Sequence, residues 1–190
     1  MIALGVDPGT RHLGWGVVLA EGNRLRHVAH GVIDARPDDA LADRLAVLDE
    51  ALARVIAQYR PTVGSVETLF FHKDASAAAK LGHARGVVLL NLARAGVEVA
   101  EYAPAHVKRA ITGKGNADKR QVALMIRTLL GLDETPRSDA SDALALAITH
   151  CRRGPLDGIL KSRRSALPAH IGALVRAARS RKNTGRPGSA

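Results

Sequence analysis

A chain of 190 residues, 46% of them hydrophobic, is long enough to form one domain around one sizeable core. The formal net charge of +10 favours a polyanionic partner, and nucleic acid ahead of a membrane surface, because no long basic amphipathic helix is evident. A single cysteine, Cys151, excludes an internal disulfide, and without a signal-peptide pattern or the roughly 20 apolar residues of a membrane span we expect a soluble cytoplasmic protein.

The first elements in chain order are three predicted strands, IALGV, LGWGVVLA and RLRHVAHGVID, joined by short turns. Connections this short predict an antiparallel meander. The first strand runs into Asp7, which Pro8 and Gly9 follow directly. All three residue types form turns, so a simple turn is one interpretation of Asp7, and a strand end that binds a ligand is the other.

A helix comes next, followed by strands that alternate with a second helix. The segment 38–59 is predicted to be helical because six apolar residues share one face, namely Leu41, Leu45, Leu48, Leu52, Val55 and Ile56. The segment TVGSVETLFF reads as a strand, a helix is predicted from Asp74 to about Ala95, and VEVAEY reads as another strand. A meander followed by strand, helix and strand predicts an α/β fold, with a mixed sheet flanked by helices.

The remainder of the body, as far as Cys151, is predicted to be helical with breaks at 113–116 and 132–137. The last helix begins with SDASD, so Asp139 and Asp142 lie three positions apart and point off the same face. Ser138 is a suitable N-cap, and a helix N-terminus favours acidic residues in any case. Helix capping is therefore the alternative to a functional role for this pair.

The C-terminal segment differs in composition from the body. Residues 161–190 carry eight Lys or Arg and no Asp or Glu, and they end in a stretch rich in Gly, Pro and Ser. Such a composition is typical of disorder. We therefore predict one domain over 1–155 and a basic, largely disordered tail over 156–190.

Acidic residues at strand and helix ends can be brought together by this fold. If the first strand is central and the strand of Glu67 lies parallel beside it, Asp7 and Glu67 emerge at the same edge of the sheet. Together with the helix pair they make four carboxylates, which repel one another unless divalent cations lie between them, and hard oxygen ligands suit magnesium or manganese. Two ions about 3.5–4 Å apart can support phosphodiester hydrolysis. The residues thus point to a metal-dependent nuclease.

Four blocks of the sequence, in order, resemble the RuvC-type crossover junction endodeoxyribonucleases, which are Holliday junction resolvases. The blocks are GVDPGTRHLGWGVV, VETLFFHKDASAAAKLGHARGV, EYAPAHVKRAITGKGNADKRQV and SDASDALALAITHC. The resemblance covers about residues 1–152 and implies a ribonuclease H-like fold, a homodimer and cooperation with RuvA and RuvB. It also implies paired nicking of four-way DNA junctions with two Mg²⁺ per active site, for which Mn²⁺ can substitute. The residues that match the family's catalytic, metal-binding acids are Asp7, Glu67, Asp139 and Asp142.

Five further residues are predicted to contact DNA: Phe70, Lys108, Lys114, Lys119 and Arg120. Phe70 aligns with the family's aromatic residue, and an aromatic face can stack on an unstacked base for roughly 1–3 kcal/mol. Burial of Phe70 in the core is the alternative. The basic residues surround a Gly-containing loop that can approach a phosphate backbone, with solvated surface as the alternative. Lys119 is expected closest to the scissile phosphate.

The helix that begins near Asp74 is the predicted dimer interface. Small or aliphatic residues recur along one face, at Ala75, Ala79, Gly82, Gly86, Leu90 and Ala93. A four-way junction has approximate two-fold symmetry, so an isologous dimer can present one active site to each of two strands. The alternative is that this face packs on the domain's own sheet.

Three other functions are weighed against junction cleavage. The DPGT turn is similar to the phosphate-binding hairpin of actin-like ATPases and sugar kinases, but those proteins need two such domains and this chain has room for one. A non-cleaving scaffold that binds junctions has no use for four carboxylates facing phosphates. A ribonuclease H-like nuclease acting on structured RNA is the nearest enzymatic alternative.

Overall fold

Five strands and five helices make up the part of the chain that the computed structural model describes, residues 1–68 and 75–153 without the side chains of 75–77. The strands are β1 (Ile2–Asp7), β2 (His12–Glu21), β3 (Arg24–Asp34), β4 (Val63–Glu67) and β5 (Glu98–Tyr102). The helices are α1 (Leu41–Tyr59), α2 (Ala75–Arg94), α3 (Pro104–Thr112), α4 (Lys119–Leu130) and α5 (Ser138–Cys151). Residues Met1–Arg152 form one compact unit.

The strands form one mixed sheet in the order β3-β2-β1-β4-β5. The meander β1-β2-β3 is antiparallel, whereas β1 pairs with β4 and β4 with β5 in parallel. The predicted α/β fold with a mixed sheet is therefore confirmed, and β1 is the central strand. Parallel neighbours direct the C-terminal ends of β1 and β4 to the same edge of the sheet.

Helices cover both faces of the sheet, and each face has its own apolar core. On one face α1 and α2 pack, with Leu48, Leu52 and Ile56 of α1 buried and the other three residues of its predicted apolar face partly buried. On the other face α5 contacts β1 and β2, and α3 and α4 pack against α5. Helix α5 is therefore enclosed on both sides, as its buried stretch from Ala143 to Thr149 shows.

Glycines in β1 and β2 allow α5 to lie directly on the sheet. A Cβ atom at Gly5 would come within 1.8 Å of the carbonyl oxygen of Ala143, and one at Gly14 within 2.0 Å of that of Asp139. At Gly16 a Cβ would collide with the Leu144 side chain, at 2.7 Å. Because no side chain intervenes, the distance of α5 from the strands is set by main-chain contact.

Several boundaries differ from those predicted. Helix α1 begins at Leu41 rather than at residue 38, and the N-cap of α5 is Arg137, with Ser138 as the first helical residue. Phe70, the end of the predicted strand at 69–71 and the predicted tail at 156–190 lie outside the described residues. In the described ranges, no helix is long and apolar enough to cross a membrane.

Candidate active site

Asp7 and Glu67 lie side by side at the edge of the sheet. The parallel register pairs Val6 with Val66, so the two acidic residues are the next along their strands. Each is the last residue of its strand and each is partly buried. Because β1 is central and β4 lies parallel beside it, these two carboxylates emerge at the same edge of the sheet, as predicted.

Helix α5 brings the second pair of acids to this edge. Asp139 lies in its first turn and Asp142 one turn later, and both are partly buried. A cavity of about 250 Å³ is lined by Asp7, Glu67 and Asp142 together with apolar residues of α3, α4 and α5. Asp139 is not among the lining residues, but its charge acts on Asp7.

The electrostatics of the site are those of crowded carboxylates. Burial, followed by the charges of Asp142, Glu67 and Asp139, raises the pKa of Asp7 from its ordinary value of 3.8 to about 7. The pKa of Glu67 is raised as well, by burial and then by Asp142, while Lys119 and Lys108 act in the opposite direction. Burial and the neighbouring carboxylates therefore disfavour the ionisation of Asp7 and Glu67, which a bound cation would relieve.

Lys119 is the basic residue in direct contact with the acids. Its Nζ lies 3.2 Å from Oδ2 of Asp142, and this carboxylate raises the pKa of the lysine. Lys119 is the first residue of α4, whose start is fixed by a reciprocal capping box between Asp118 and Gln121. The D-x-x-Q spacing of this box is visible in the sequence and could have located the start of the helix.

The other three basic residues predicted to contact DNA differ in whether they lie near the acidic cavity. Lys108 of α3 lines the cavity and is partly buried. Lys114, between α3 and α4, and Arg120, in the first turn of α4, are exposed, and neither has an ion pair with another described residue. The structure thus brings Lys108 and Lys119 to the acids and leaves Lys114 and Arg120 on the surface.

The donor chemistry of the site fits hard divalent cations, since four carboxylates supply only oxygen ligands. Among the described residues, however, no three His, Cys, Asp or Glu side chains stand together in the geometry of a metal site. Asp142 is directed to Lys119, whose ammonium group supplies a positive charge beside this carboxylate. Lys119 contacts Oδ2 of Asp142, and a carboxylate has a second oxygen that can bind a cation.

Sequence reasoning missed a network at the start of α5. Arg137 donates two hydrogen bonds to Asp34, at 2.8 and 3.1 Å, and His12 Nδ1 lies 2.6 Å from the same carboxylate. Hydrogen bonds from Arg137 and His12 lower the pKa of Asp34 to about 2. The network ties the N-cap of α5, two residues before Asp139, to the ends of β2 and β3. No local pattern predicts a contact between residues 103 positions apart.

A larger concave surface, of about 950 Å³, is unrelated to the acids. It is lined by β3 and the α4–α5 connection and contains none of the four carboxylates. A β-bulge opposite Val17 and Val18 brings His27 and His30 of β3 to the same face, where their ring nitrogens lie 2.8 Å apart. We place the chemistry in the smaller cavity because the converging carboxylates are there.

Comparison with known proteins identifies the family of this chain. The family model described as "Crossover junction endodeoxyribonuclease RuvC" matches residues 3–150. The RuvC of Sorangium cellulosum is 57% identical over 150 residues, 79% of this chain and 84% of that protein, and the RuvC of Acidiphilium cryptum is 54% identical over 147 residues, 77% and 88%. Thermus thermophilus RuvC, solved in complex with a Holliday junction substrate, superposes with a TM-score of 0.75 at 41% identity, over 79% of this chain and 92% of that one. The chain therefore belongs to the RuvC family of crossover junction endodeoxyribonucleases.

Proposed function

We propose that this protein resolves four-way DNA junctions by paired symmetric nicks during recombination and repair. The observation that carries the proposal is the convergence of Asp7, Glu67 and Asp142 on one cavity, with Asp139 close enough to act on Asp7, in a chain of the RuvC family. The solved complex of the Thermus protein with a Holliday junction supports the choice of substrate. Junction cleavage is favoured over a non-cleaving scaffold because a pure binder gains nothing from carboxylates that repel phosphates.

The four acids hold two Mg²⁺ in this proposal, and Mn²⁺ can take their place. When bound, such a pair of ions activates a water molecule and stabilises the leaving oxygen of the phosphodiester. The chain itself supplies the carboxylate oxygen ligands. Repulsion between these carboxylates around Asp7 favours the binding of cations, because cations would offset the negative charge. Lys119 lines the same cavity, so its ammonium group would be placed to contact the scissile phosphate beside the metal-binding acids.

Lys108, Lys114 and Arg120 contact the DNA backbone in this proposal. Lys108 lies in the wall of the cavity, whereas the other two are exposed on the α3–α4 connection and the start of α4. Phosphate contacts of this type position a nuclease without reading sequence. Phe70, three residues beyond Glu67, stacks on an opened base near the junction centre.

A homodimer built around α2 presents the two active sites. Ala79, Gly86 and Ala93 are exposed on its outer face, Leu90 is 46% exposed, and Gly82 is partly buried. A Cβ atom at Gly86 would meet nothing within 4 Å, so another backbone has room to approach. The residues of α2 that pack inward are others, Ala84, Val88 and Leu92. The outer face is thus free to pair with a second copy.

The proposal extends to where the protein acts and with which partners. We propose that the protein acts in the cytoplasm, where bacterial DNA lies, and that it cooperates with RuvA and RuvB on branch-migrating junctions. A co-purification of the three proteins on a synthetic junction tests the last point. Release of RuvA and RuvB at the salt concentration that keeps this protein bound would count against it.

Replacing the carboxylates by amides tests the catalytic assignment. Asp7→Asn, Glu67→Gln, Asp139→Asn and Asp142→Asn each keep the side-chain shape but lose the charge that holds a cation, so we expect cutting to fall at least about 100-fold. Junction affinity measured in EDTA should stay within about twofold of wild type. A full-rate Asp7→Asn protein, purified free of host nuclease, would overturn the four-carboxylate site.

A comparison of substrates separates the enzymatic alternatives. Equal amounts of protein are given a four-way DNA junction, a linear duplex of the same sequence and a structured RNA, each in Mg²⁺. We expect symmetric nicks in the junction alone. Preferential cleavage of the RNA would replace junction resolution by RNA processing.

A further inference from the structure

Arg85 of α2 is an arginine with a buried side chain. It is 7% exposed. Among the described residues, the other buried polar side chains are uncharged, namely Ser65, Asn91, Ser141 and Thr149. A buried charge is costly unless it is paired and hydrogen-bonded. Its partners therefore show what the arginine holds in place.

Both partners lie at the ends of parallel strands. Nη2 of Arg85 lies 2.8 Å from Oε2 of Glu101 in β5, and Nη1 donates a hydrogen bond to the main-chain carbonyl of Glu67. A guanidinium group is planar and presents its donors in a rigid fork, so the two contacts fix one another's direction. Arg85 thereby links α2 to the last residue of β4.

The contact with this arginine adds a constraint to a residue that regular pairing holds on one side only. Glu67 is in register with Tyr102 of β5. The parallel register between β1 and β4 runs to Val6 and Val66 and does not include Glu67. On the other side, Thr68 N donates to the Tyr102 carbonyl, which continues the pairing with β5. The Glu67 carboxylate lines the acidic cavity, while its carbonyl is held from the α2 side of the sheet.

We infer that Arg85 is a positioning residue for the active site, which fixes the main chain of Glu67 and so orients its carboxylate toward the cations. This inference rests on the proposed function, because it needs Glu67 to be a metal ligand. Residues that orient metal ligands typically contribute 10–100-fold to metal affinity or activity. Arg85 itself touches neither metal nor DNA in this role.

The decisive variant removes the buried charge of Arg85 together with the carboxylate that pairs with it, Glu101, whose side chain is 46% exposed. Arg85→Met with Glu101→Gln leaves neither charge without its partner, so we expect the double variant to fold. A single cooperative unfolding transition would show that it does. The matched control is Arg54→Met with Glu50→Gln, which makes the same change in an exposed pair on α1, whose atoms are 3.9 Å apart. The readouts are Mn²⁺ affinity by electron paramagnetic resonance, the Mg²⁺ concentration for half-maximal cutting, and junction affinity in EDTA.

We expect the double variant to bind Mn²⁺ about 10-fold more weakly and to need correspondingly more Mg²⁺, with junction affinity in EDTA unchanged. The control should match wild type in all three. Wild-type Mn²⁺ affinity and Mg²⁺ requirement in the folded double variant would overturn the inference. If that variant does not fold, Arg85→Lys, which keeps a charge for Glu101 but lacks the fork, decides in the same way.

Glu67→Gln separates this inference from the function on which it rests. If Glu67→Gln leaves Mn²⁺ binding intact, the proposed metal site itself fails. If Glu67→Gln weakens Mn²⁺ binding while the Arg85 variants do not, the metal site stands and only the positioning role is lost.

Discussion

Asp7 shows how one residue is prepared for a cation by its surroundings. It ends the central strand, and burial, followed by the charges of three other carboxylates, raises its pKa to about 7. Without metal, ionising this group costs free energy that the unfolded chain does not incur. The same arrangement that makes the site receptive to cations therefore destabilises the metal-free fold.

The sign of the resulting pH dependence follows from the raised pKa. Between pH 3.8 and about pH 7 the folded protein holds a proton on Asp7 that the unfolded chain has lost, so stability in EDTA falls as pH rises through this window. At pH 8 we expect Asp7→Asn to be more stable than wild type by about 2–4 kcal/mol, and at pH 4 the difference should nearly vanish. Urea unfolding of both proteins at pH 4 and pH 8 measures this difference in the free energy of unfolding.

Asp38→Asn is the control for this comparison, because Asp38 is exposed and outside the acidic cavity. It should change stability equally at both pH values. Added Mg²⁺ should stabilise wild type at pH 8 and have little effect on Asp7→Asn. Equal stability of wild type and Asp7→Asn at pH 8 would show that the carboxylates do not strain the fold.

Among the elements, helix α5 positions two of the four acidic residues of the site. It carries Asp139 and Asp142, and main-chain contact over Gly5 and Gly14 sets its distance from the sheet. The contacts of Arg137 with Asp34 fix its first turn to the meander. Any side chain placed between α5 and the strands must lift the helix, and the acids with it.

Gly5→Ala tests this packing directly. The added methyl group would lie 1.8 Å from the Ala143 carbonyl oxygen, so main chain must move, and we expect a loss of about 3 kcal/mol in urea unfolding. Cutting should fall as well, because α5 shifts relative to Asp7. At Gly115 the same change meets only ordinary contacts, the nearest atom being 3.4 Å away, and Gly115→Ala should stay within about 0.5 kcal/mol. Equal stability of the two variants would contradict the packing argument.

At the scale of the whole molecule, function depends on symmetry that one chain does not have. A four-way junction must be nicked on two strands of like polarity to leave ends that can be ligated. The proposed isologous dimer through the outer face of α2 would place one acidic cavity at each strand. The inner face of the same helix carries Arg85, so the proposed interface helix also contacts Glu67.

Mixed dimers test the paired arrangement. Wild-type chains combined with Asp7→Asn chains should give heterodimers with one working site, which make one nick per bound junction. On a supercoiled plasmid with an extruded cruciform, the product should be nicked circles, whereas wild-type homodimers give linear DNA. Linear product from isolated heterodimers, or full activity at concentrations far below dimer formation, would exclude the arrangement.

Removing the basic tail tests the proposed division of the chain. Residues 161–190 carry eight Lys or Arg, and each phosphate that they neutralise adds roughly 0.9 to the salt slope of duplex binding. A protein that ends at residue 160 should cut the same sites, bind non-specific DNA more weakly and show a shallower salt slope. Unchanged affinity and slope would mean that the tail does not touch DNA.

The sequence by itself determined the strands, the helices and the placement of Asp7 and Glu67 at the same edge of the sheet. Apolar periodicity and turn residues report local backbone preference and burial, which is why the meander and the face of α1 were predictable. The ordered motifs of the family supplied the four acids. The boundary of α5 was less secure, because Arg137 rather than Ser138 occupies its N-cap.

Only the tertiary structure decided which distant side chains meet. The ion pair of Lys119 with Asp142, the contacts of Arg85 with Glu67 and Glu101, and the role of Gly5 beneath α5 join segments that no local period connects. A glycine in a strand or an arginine in a helix has the same local propensity wherever it packs. Its partner is fixed only when the layers of the fold come together, because such contacts depend on long-range packing rather than on neighbouring residues.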